Sequence, residues 1–230
     1  MGIDVFILDY LLDLRGRALG DALCLGRQEL HVTNDQVAPI LSARWPGQDL
    51  AGLSQSDGYA ETLLHKLGAC SVQSLDFSDF EGAEIIHDLN SPVPDHLIER
   101  FDFILDGGTL EHVFNLPMAF ANVKAMLRIG GILVCVDGAN NQLGHGLYQF
   151  SPELFWRVFS REAGFEIGDM SLVPGWGPMG RIRQSEPGST RQEIGVTSSP
   201  TYLMMRARKT HQGRQAAVYQ NDYARAWRER

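Results

Sequence analysis

The sequence contains no long apolar run, and this absence excludes several classes of protein. No stretch reaches the roughly 18 consecutive apolar residues that suggest a membrane-spanning helix. The first residues, MGIDVFILDYLLDLRGR, carry acidic side chains where a secretory signal peptide carries basic ones. We therefore expect a cytoplasmic protein with no membrane-spanning segment.

Basic residues are also in short supply. The chain has 20 Lys and Arg against 28 Asp and Glu, which gives a formal net charge of -8. Proteins bind nucleic acid largely by neutralising phosphates with Lys and Arg, so an acidic chain is not expected to be a nucleic-acid-binding module. With 44% hydrophobic and 21% charged residues over 230 positions, the composition is that of one globular domain.

Cysteine is scarce and scattered. Cys24, Cys70 and Cys135 lie far apart, and none stands in a CxxC or Cys/His spacing typical of a zinc site. An odd number of distant cysteines is typical of a reducing compartment rather than of a disulfide framework. The sequence therefore predicts buried free thiols and no metal.

Short apolar strings, separated by helical patterns, predict the fold. The strings are ALCL at 22–25, SVQSL at 71–75, EIIH at 84–87, FDFIL at 101–105, GILVCV at 131–136, FEIGDMSLV at 165–173 and TYLMMRAR at 201–208. Helices are predicted at 5–17, 57–67, 116–127 and 152–163. Strands alternating with helices predict an α/β fold: a Rossmann-like, doubly wound, mostly parallel seven-stranded sheet with helices on both faces.

The pattern also suggests how the chain is organised. We predict a single domain over 1–211, with an N-terminal helix in 1–18 and a loop at 174–200 that is rich in Gly, Pro, Ser and Arg. The loop segment with Trp176 is either a lid over a substrate or a long turn. Its arginines either face solvent or receive an acidic substrate: Arg181, Arg183 and Arg191. The tail at 212–230 is either a docked helix or flexible.

Acidic residues follow four of the first five predicted strands. The residues at the strand ends are Gly26, then Asp76 and Phe77, then Asp88, Leu89 and Asn90, then Asp106, Gly107, Gly108 and Thr109, then Asp137 and Asn140. In open parallel sheets, ligands bind outside the carboxyl ends of the strands, where the strand order reverses. One such acid is expected at a helix N-terminus, but four indicate a polar ligand site.

The chemistry of these positions suits a nucleoside. Asp76 is placed to accept two hydrogen bonds from a ribose diol. Asp88 is placed to accept one from an adenine amino group, with Phe77 or Leu89 packed on the ring. The alternative is that both acids only cap turns or helices.

Phosphate-binding motifs are missing from the same positions. No GxGxxG or GxxxxGK[ST] follows any predicted strand. Gly107 and Gly108 let the backbone approach a ligand closely because they have no Cβ. The sequence therefore predicts a nucleoside ligand without a pyrophosphate.

Three spans resemble the class I S-adenosylmethionine-dependent methyltransferases. They are CSVQSLDFSDFEGAEIIHDLN, FDFILDGGTLEHVFN and LRIGGILVCV, within a likeness that covers roughly residues 18–165. The HDLN and GHG…YQFSPELF stretches are most similar to bacterial small-molecule and polysaccharide-cluster methyltransferases. This resemblance implies S-adenosylmethionine as cofactor and S-adenosylhomocysteine as product.

The resemblance also implies roles for the residues at the strand ends. Gly26 lies under the methionine part of the cofactor, Asp76 binds the ribose, and Phe77 lies beside the adenine. Asp88 and Leu89 recognise adenine. The pocket is lined with backbone from Asp106, Gly107, Gly108 and Thr109.

One departure from the family concerns the first motif. The family has two or three glycines after the first strand, whereas ALCLGRQEL keeps only Gly26. Arg27 or Gln28 is therefore expected to hold the carboxypropyl tail of the cofactor in their place. The loss also leaves room for a descendant that no longer catalyses.

Candidate catalytic residues come from the acceptor side. His145 lies in the loop LGHGLYQF after the fifth strand, where an imidazole suits removal of a proton from a hydroxyl or amine. Tyr148 is expected to position the acceptor, and His112 is a second catalytic candidate. The alternatives are that His145 is a solvated loop residue and that His112 only bonds nearby backbone.

The favoured function is methyl transfer to an oxygen or nitrogen of a small molecule or sugar. No nucleic-acid or membrane partner is expected, and a homodimer is left open. One alternative is a non-catalytic binding protein that keeps the fold. Another is an NAD-linked oxidoreductase, which the missing glycine fingerprint disfavours.

Overall fold

The computed structural model describes residues 2–175, 180–187, 194, 198–214, 218–220, 222–223 and 227. The strands in these ranges are β1 Gly2–Ile3, β2 Gly20–Leu25, β3 Glu29–Leu30, β4 Ala69–Asp76, β5 Ile85–Ile86, β6 Phe101–Asp106, β7 Leu127–Asn140, β8 Phe165–Pro174, β9 Ile182–Arg183 and β10 Thr201–Lys209. The helices are α1 Val5–Leu11, α2 Asn34–Arg44, α3 Glu61–Leu67, α4 Leu116–Met126 and α5 Pro152–Val158. Trp176, Arg191 and most of the tail after residue 214 lie outside the described residues.

The main sheet has eight strands in the order β5-β4-β2-β6-β7-β10-β8-β9. The pairs from β5 to β7 are parallel, and those that join β7, β10, β8 and β9 are antiparallel. A separate parallel pair joins β1 and β3. The predicted α/β, doubly wound and mostly parallel fold is therefore confirmed. The main sheet has one strand more than the predicted seven, because the short edge strand β9 lies in the predicted loop at 174–200.

The sheet is covered on both faces, and side chains alternate between the two cores as expected for successive strand residues. On β6, Phe103 and Leu105 face the core that contains α1, α2 and α3, whereas Ile104 faces the core that contains α4 and α5. Both faces of each central strand are therefore apolar, which explains why these segments read as unbroken apolar strings.

Local signals explain where several helices begin and end. Asp4 Oδ1 accepts hydrogen bonds from the N–H groups of Phe6 and Ile7, both at 2.9 Å, and caps α1. Gly68 ends α3 with φ of +119°, a left-handed conformation that favours glycine. Ser151 Oγ accepts from Leu154 N–H at the start of α5, as the Ser-Pro pair predicts.

Several predicted elements need correction. α1 ends at Leu11 and a 3₁₀ turn continues only to Leu14, not to residue 17. α3 begins at Glu61 instead of at residue 57, and α5 ends at Val158 before a separate turn reaches Gly164. The sequence pattern did not indicate α2, because only three residues of that helix are buried and Pro39 lies within it.

The cysteine prediction is partly wrong. Cys24 and Cys135 are buried, but Cys70 is exposed. Cys70 is the second residue of β4, next to Ala69, which is buried in the core that contains α1, α2 and α3. Among the described residues, no helix is both long enough and apolar enough to cross a membrane.

Candidate active site

The candidate site lies where the chain reverses direction across the sheet. After β2 the chain builds β4 and β5 on one side and then returns to place β6 on the other side of β2. The carboxyl ends of β2, β4 and β6 therefore meet at one edge. This is the position at which ligands bind in open α/β sheets.

A cavity of about 280 Å³ opens beside this edge. Its lining residues are Leu75, Asp76, Phe77, His87, Asp88, Leu89, Asn90, Thr109, His112 and Val113. The fold thus brings together predicted residues from three separate stretches of the chain. The lining includes three aliphatic residues, Leu75, Leu89 and Val113, and two carboxylates, Asp76 and Asp88.

Asp88 is held in place by its own turn. Its Oδ1 atom accepts hydrogen bonds from Asn90 N–H at 2.9 Å and from Asn90 Nδ2 at 2.8 Å. The backbone bond, followed by the side-chain bond, lowers the pKa of Asp88 below its ordinary value. Asp88 is therefore an ionised acceptor at the cavity.

Asp76 and Phe77 also line the cavity. Asp76 ends β4 and is half-buried, and its Oδ1 atom receives Ser78 N–H at 3.4 Å. The next residue, Phe77, is 74% exposed although it lines the cavity. An aromatic ring left so exposed at a cavity mouth is placed to cover a bound planar group.

Gln28 connects the ends of β2 and β6. The side chain is only 2% exposed, and its Nε2 atom donates to Leu25 O at 3.0 Å and Gly26 O at 3.2 Å. Its Oε1 atom faces Gly107 so closely that a Cβ there would lie 2.3 Å away. A Cβ at residue 107 would therefore displace the Gln28 amide from this position.

Arg27 points into an ion-pair network with α3. Its guanidinium bonds Glu61 at 2.7 Å and Asp57 at 2.8 Å and lies 3.7 Å from the centre of the Tyr59 ring. Arg27 does not line the 280 Å³ cavity. Its expected contact with a cofactor tail stays a prediction.

The loop after β6 is tied to β2. Thr109 Oγ1 donates to Leu25 O at 2.6 Å, and Thr109 N–H donates to Asp106 Oδ1 at 2.9 Å. Gly108 has φ of +98°, which favours glycine. These bonds place the loop backbone beside Gly26, whose own N–H donates to Leu75 O at 2.8 Å.

Three carboxyl groups lie buried behind this loop. Asp106, Glu111 and Asp137 are at most 2% exposed, and the carboxyl group of Asp137 shares hydrogen bonds with those of Asp106 and Glu111. Burial, followed by the charge of Glu111, raises the pKa of Asp106 to about 7. Burial and the charges of Asp106 and Glu111 raise the pKa of Asp137 well above its ordinary value. Asp106 thus faces the interior and does not line the cavity.

The histidines lie at the other side of this acidic cluster. Glu111 and His112 belong to a 3₁₀ turn at Leu110–His112, because α4 begins only at Leu116. The rings of His112 and His145 are 5.5 Å apart, and His145 Nε2 lies 3.8 Å from Glu111 Oε1. The fold therefore brings together two predicted catalytic residues that are 33 positions apart in the sequence.

Tyr148 has a structural contact of its own. Its hydroxyl donates to Phe114 O at 2.8 Å, and its ring stacks on Phe150 at 6.2 Å. These contacts hold the loop after β7 against the turn that contains Glu111. Arg181, by contrast, pairs with Asp9 and Asp13 near α1, and Arg183 lies 3.6 Å from Asp169.

Of the comparisons with known proteins, the one with solved structures agrees with this architecture. No protein-family model and no curated protein matches the chain. Among solved structures, the chain is similar to the Burkholderia thailandensis 1,6-didemethyltoxoflavin-N1-methyltransferase, crystallised with 1,6-didemethyltoxoflavin and S-adenosylhomocysteine. The TM-score is 0.50 at 18% identity, over 90% of this chain and 78% of that chain. The chain therefore shares its fold with this methyltransferase.

A second similarity is to the complex between the Haloferax volcanii Trm112 methyltransferase activator and a methyltransferase. The TM-score is 0.49 at 11% identity, over 90% of each chain. No conclusion rests on this second similarity. At identities this low, the roles of residues within the methyltransferase fold have to be argued from the geometry of this chain.

Glu111 became a candidate only in the structure, and Asp137 proved to be buried beside it. Glu111 was visible in the sequence beside His112, and Asp137 stood at a strand end, but nothing in the sequence showed that both are buried together. The available signal was the spacing of acids at neighbouring strand ends, which indicates proximity but not the direction of a side chain.

Proposed function

We propose that this protein is an S-adenosylmethionine-dependent methyltransferase that acts on an oxygen or nitrogen of a small molecule or sugar. The observation that carries the proposal is the convergence of Asp76, Phe77, Asp88 and Leu89 on one cavity at the carboxyl edge of the sheet. Two acceptors, one exposed ring and one buried aliphatic side chain suit an adenosyl group.

The remaining cofactor contacts are proposed around the glycines. Gly26 and Gly107 would lie against the methionine part, since Gln28 packs beneath them and no Cβ intervenes. Gly108 and Thr109 would add backbone contacts, with Thr109 also lining the cavity. Asp106 would act through Thr109, whose N–H it accepts. Arg27 would help through its ion pairs, which hold α3 beside Gln28.

Methyl transfer requires mainly that the protein position and orient the cofactor and the acceptor. When bound, S-adenosylmethionine supplies an electrophilic methyl group in line with the acceptor atom. This chain contributes the carboxyl edge of the sheet, a fixed backbone and groups on the acceptor side. His112 reaches both the cavity and the second histidine, so it marks where the acceptor would meet the methyl group.

An O–H or N–H acceptor loses a proton during the transfer. Three groups on this side can accept the proton or polarise the O–H or N–H bond of the acceptor: His112, His145 and the carboxylate of Glu111. Tyr148 would keep the loop of His145 in place, because its hydroxyl bonds Phe114 O. Exposure of 59% leaves the His145 side chain accessible to an acceptor.

Calorimetry with S-adenosylhomocysteine tests the cofactor assignment. We expect the unaltered chain to bind, and Asp76→Ala and Asp88→Ala each to weaken binding by about tenfold or more, because each removes a charge-assisted hydrogen bond.

The matched control is Asp79→Ala, which alters an exposed acid of the same loop outside the cavity lining. This variant should bind like the unaltered protein. Absence of binding by the unaltered chain at millimolar ligand would refute the proposal, and so would equal losses in all three variants.

A further inference from the structure

Three potential metal ligands meet on the acceptor side of the methyltransferase fold. Glu111, His112 and His145 each offer one ligand atom, and the three atoms lie within 4.8 Å of one another. His145 Nε2 and Glu111 Oε1 are 3.8 Å apart, and the two rings are 5.5 Å apart. Ligands of one metal ion lie about 3–3.7 Å apart when each bond is about 2.0–2.2 Å, so small rotations of the exposed imidazoles would suffice.

The carboxylate of Glu111 faces this group although it is buried. The side chain is 2% exposed, and its Oε1 atom lies 3.8 Å from His145 Nε2. Among the described residues, Oε2 accepts from no N–H or hydroxyl group, and on the interior side the carboxyl group shares a hydrogen bond with that of Asp137. A buried carboxylate that no cation meets is costly. This observation is independent of the spacing of the two histidines.

Backbone contacts hold the loop of His145 against Glu111. The N–H groups of Leu147 and Tyr148 donate to Glu111 O at 2.8 and 3.2 Å. Gly146 packs so closely that a Cβ there would lie 2.8 Å from Glu111 Cγ. The loop of His145 is therefore fixed on the residue that supplies the carboxylate, which is the support that metal ligands need.

The charge around the group favours a cation. Asp106 and Asp137 lie buried behind Glu111, and among the described residues no Lys or Arg pairs with any of these three acids. A divalent ion at Glu111 would therefore meet a carboxylate that no Lys or Arg neutralises among the described residues. A second group, formed by Asp106, Cys135 and Asp137, is wholly buried and offers no open side.

We propose that Glu111, His112 and His145 bind a divalent transition-metal ion such as Zn²⁺, Mn²⁺, Fe²⁺ or Co²⁺. Two imidazoles with one carboxylate suit these ions better than Mg²⁺ or Ca²⁺, which prefer oxygen ligands throughout. Three protein ligands leave coordination positions open for a further ligand. The exposed imidazoles provide the path of entry.

The proposed metal site also indicates a class of methyl acceptor, and this part of the inference rests on the proposed function. His112 lines the cavity at Asp88 as well as the metal group, so the ion would lie next to the cofactor edge. An ion there would bind and orient the acceptor through an oxygen atom. A hydroxyl compound is therefore favoured over an amine that has no oxygen. The histidines then act as ligands, and the expected base role of His145 gives way to that function.

Cobalt spectroscopy tests the site directly. The full, tag-free chain is stripped with a chelator, dialysed, and titrated with Co²⁺ while the visible d–d absorption is recorded. We expect one equivalent of Co²⁺ to bind and an excess of Zn²⁺ to displace it, following the usual order of affinities. His112→Ala, His145→Ala and Glu111→Gln should each weaken binding by roughly tenfold or more.

His31→Ala is the matched control. His31 Nε2 lies 3.0 Å from Glu29 Oε2, so this exposed pair offers an imidazole and a carboxylate without a third ligand. The control should keep the full cobalt signal. The proposal is overturned if the unaltered chain takes up no more Co²⁺ than His145→Ala, or if His31→Ala removes the signal equally.

Two further measurements separate this result from that of the proposed function. Far-UV circular dichroism shows whether each variant is folded, and Glu111→Gln serves as the conservative variant if an alanine variant is not. Calorimetry with S-adenosylhomocysteine is run in the presence of chelator. Cofactor binding without Co²⁺ binding refutes the metal site alone, whereas Co²⁺ binding without cofactor binding refutes the proposed function and leaves the metal site standing.

Discussion

Lys124 on α4 illustrates how burial acts on a single residue. Its ammonium group lies 5.5 Å from the centre of the Phe159 ring and lines an apolar cavity of about 660 Å³ between α4 and α5. Burial lowers its pKa from 10.5 to about 8. Because the folded-state pKa lies below the unfolded one, stability is lost as the pH falls from about 10.5 to about 8.

Replacing Lys124 should therefore stabilise the protein. We expect Lys124→Met to raise the free energy of unfolding near pH 7 by about 1 kcal/mol, a value reduced by partial exposure of the ammonium group. The gain should shrink as the pH approaches 10, as measured by urea unfolding at both pH values. Lys66→Met, at an exposed position of α3, should show no such pH dependence. A gain for Lys124→Met that is equal at both pH values would contradict this account.

Residue types at the strand ends could be read from the sequence, but their directions could not. Asp76 and Asp88 line a cavity, whereas Asp106 and Asp137 lie buried with Glu111. Whether an acid at a strand end faces a cavity or the interior depends on the pleat and on the neighbouring strands. That information is not local to the residue.

At the scale of elements, α1 depends on its first turn. The helix is short, and its buried face packs Ile7, Leu8 and Leu11 into the core beside the sheet. Asp4 accepts two backbone N–H groups that would otherwise lack partners. The first turn of α1 therefore depends on one side chain.

Removing this cap should destabilise the protein measurably. We expect Asp4→Ala to lower the free energy of unfolding by about 1 kcal/mol, and Asp4→Asn to lose much less because an amide oxygen still accepts these bonds. Urea denaturation followed by circular dichroism measures both. Equal losses in the two variants would show that the charge of Asp4, and not the cap, is what matters.

Strong apolar patterns made most elements predictable, and weak patterns hid the others. β2, β4, β6 and β7 were located to within a few residues because both faces of each strand are buried. α2 was missed because most of its side chains face solvent. β9 was missed because two residues cannot show a period.

The whole molecule contains two cores that share one sheet. Phe155 belongs to the core beneath α4 and α5, and Leu63 belongs to the core beneath α1, α2 and α3; both are fully buried. Since β2, β6 and β7 contribute side chains to both cores, neither core can unfold and leave the other intact. A single cooperative transition is expected.

Truncation in either core should therefore affect the same transition. We expect Phe155→Ala to cost about 3–5 kcal/mol and Leu63→Ala about 2–5 kcal/mol, through lost burial and the cavity that remains. Circular dichroism and tryptophan fluorescence during urea unfolding should give coincident curves for both variants. Two separated transitions would show that the cores unfold independently.

By itself, the sequence established the alternation of strands and helices, the doubly wound fold and the set of acids at one edge of the sheet. It did so because local residue patterns show both properties. Unbroken apolar strings indicate strands that are buried on both faces, and their alternation with helices indicates parallel connections. Only the tertiary structure placed Glu111 beside His145 and turned two of the acids inward. Residues 34 positions apart meet through the packing of a loop on a turn, and no local pattern encodes that contact.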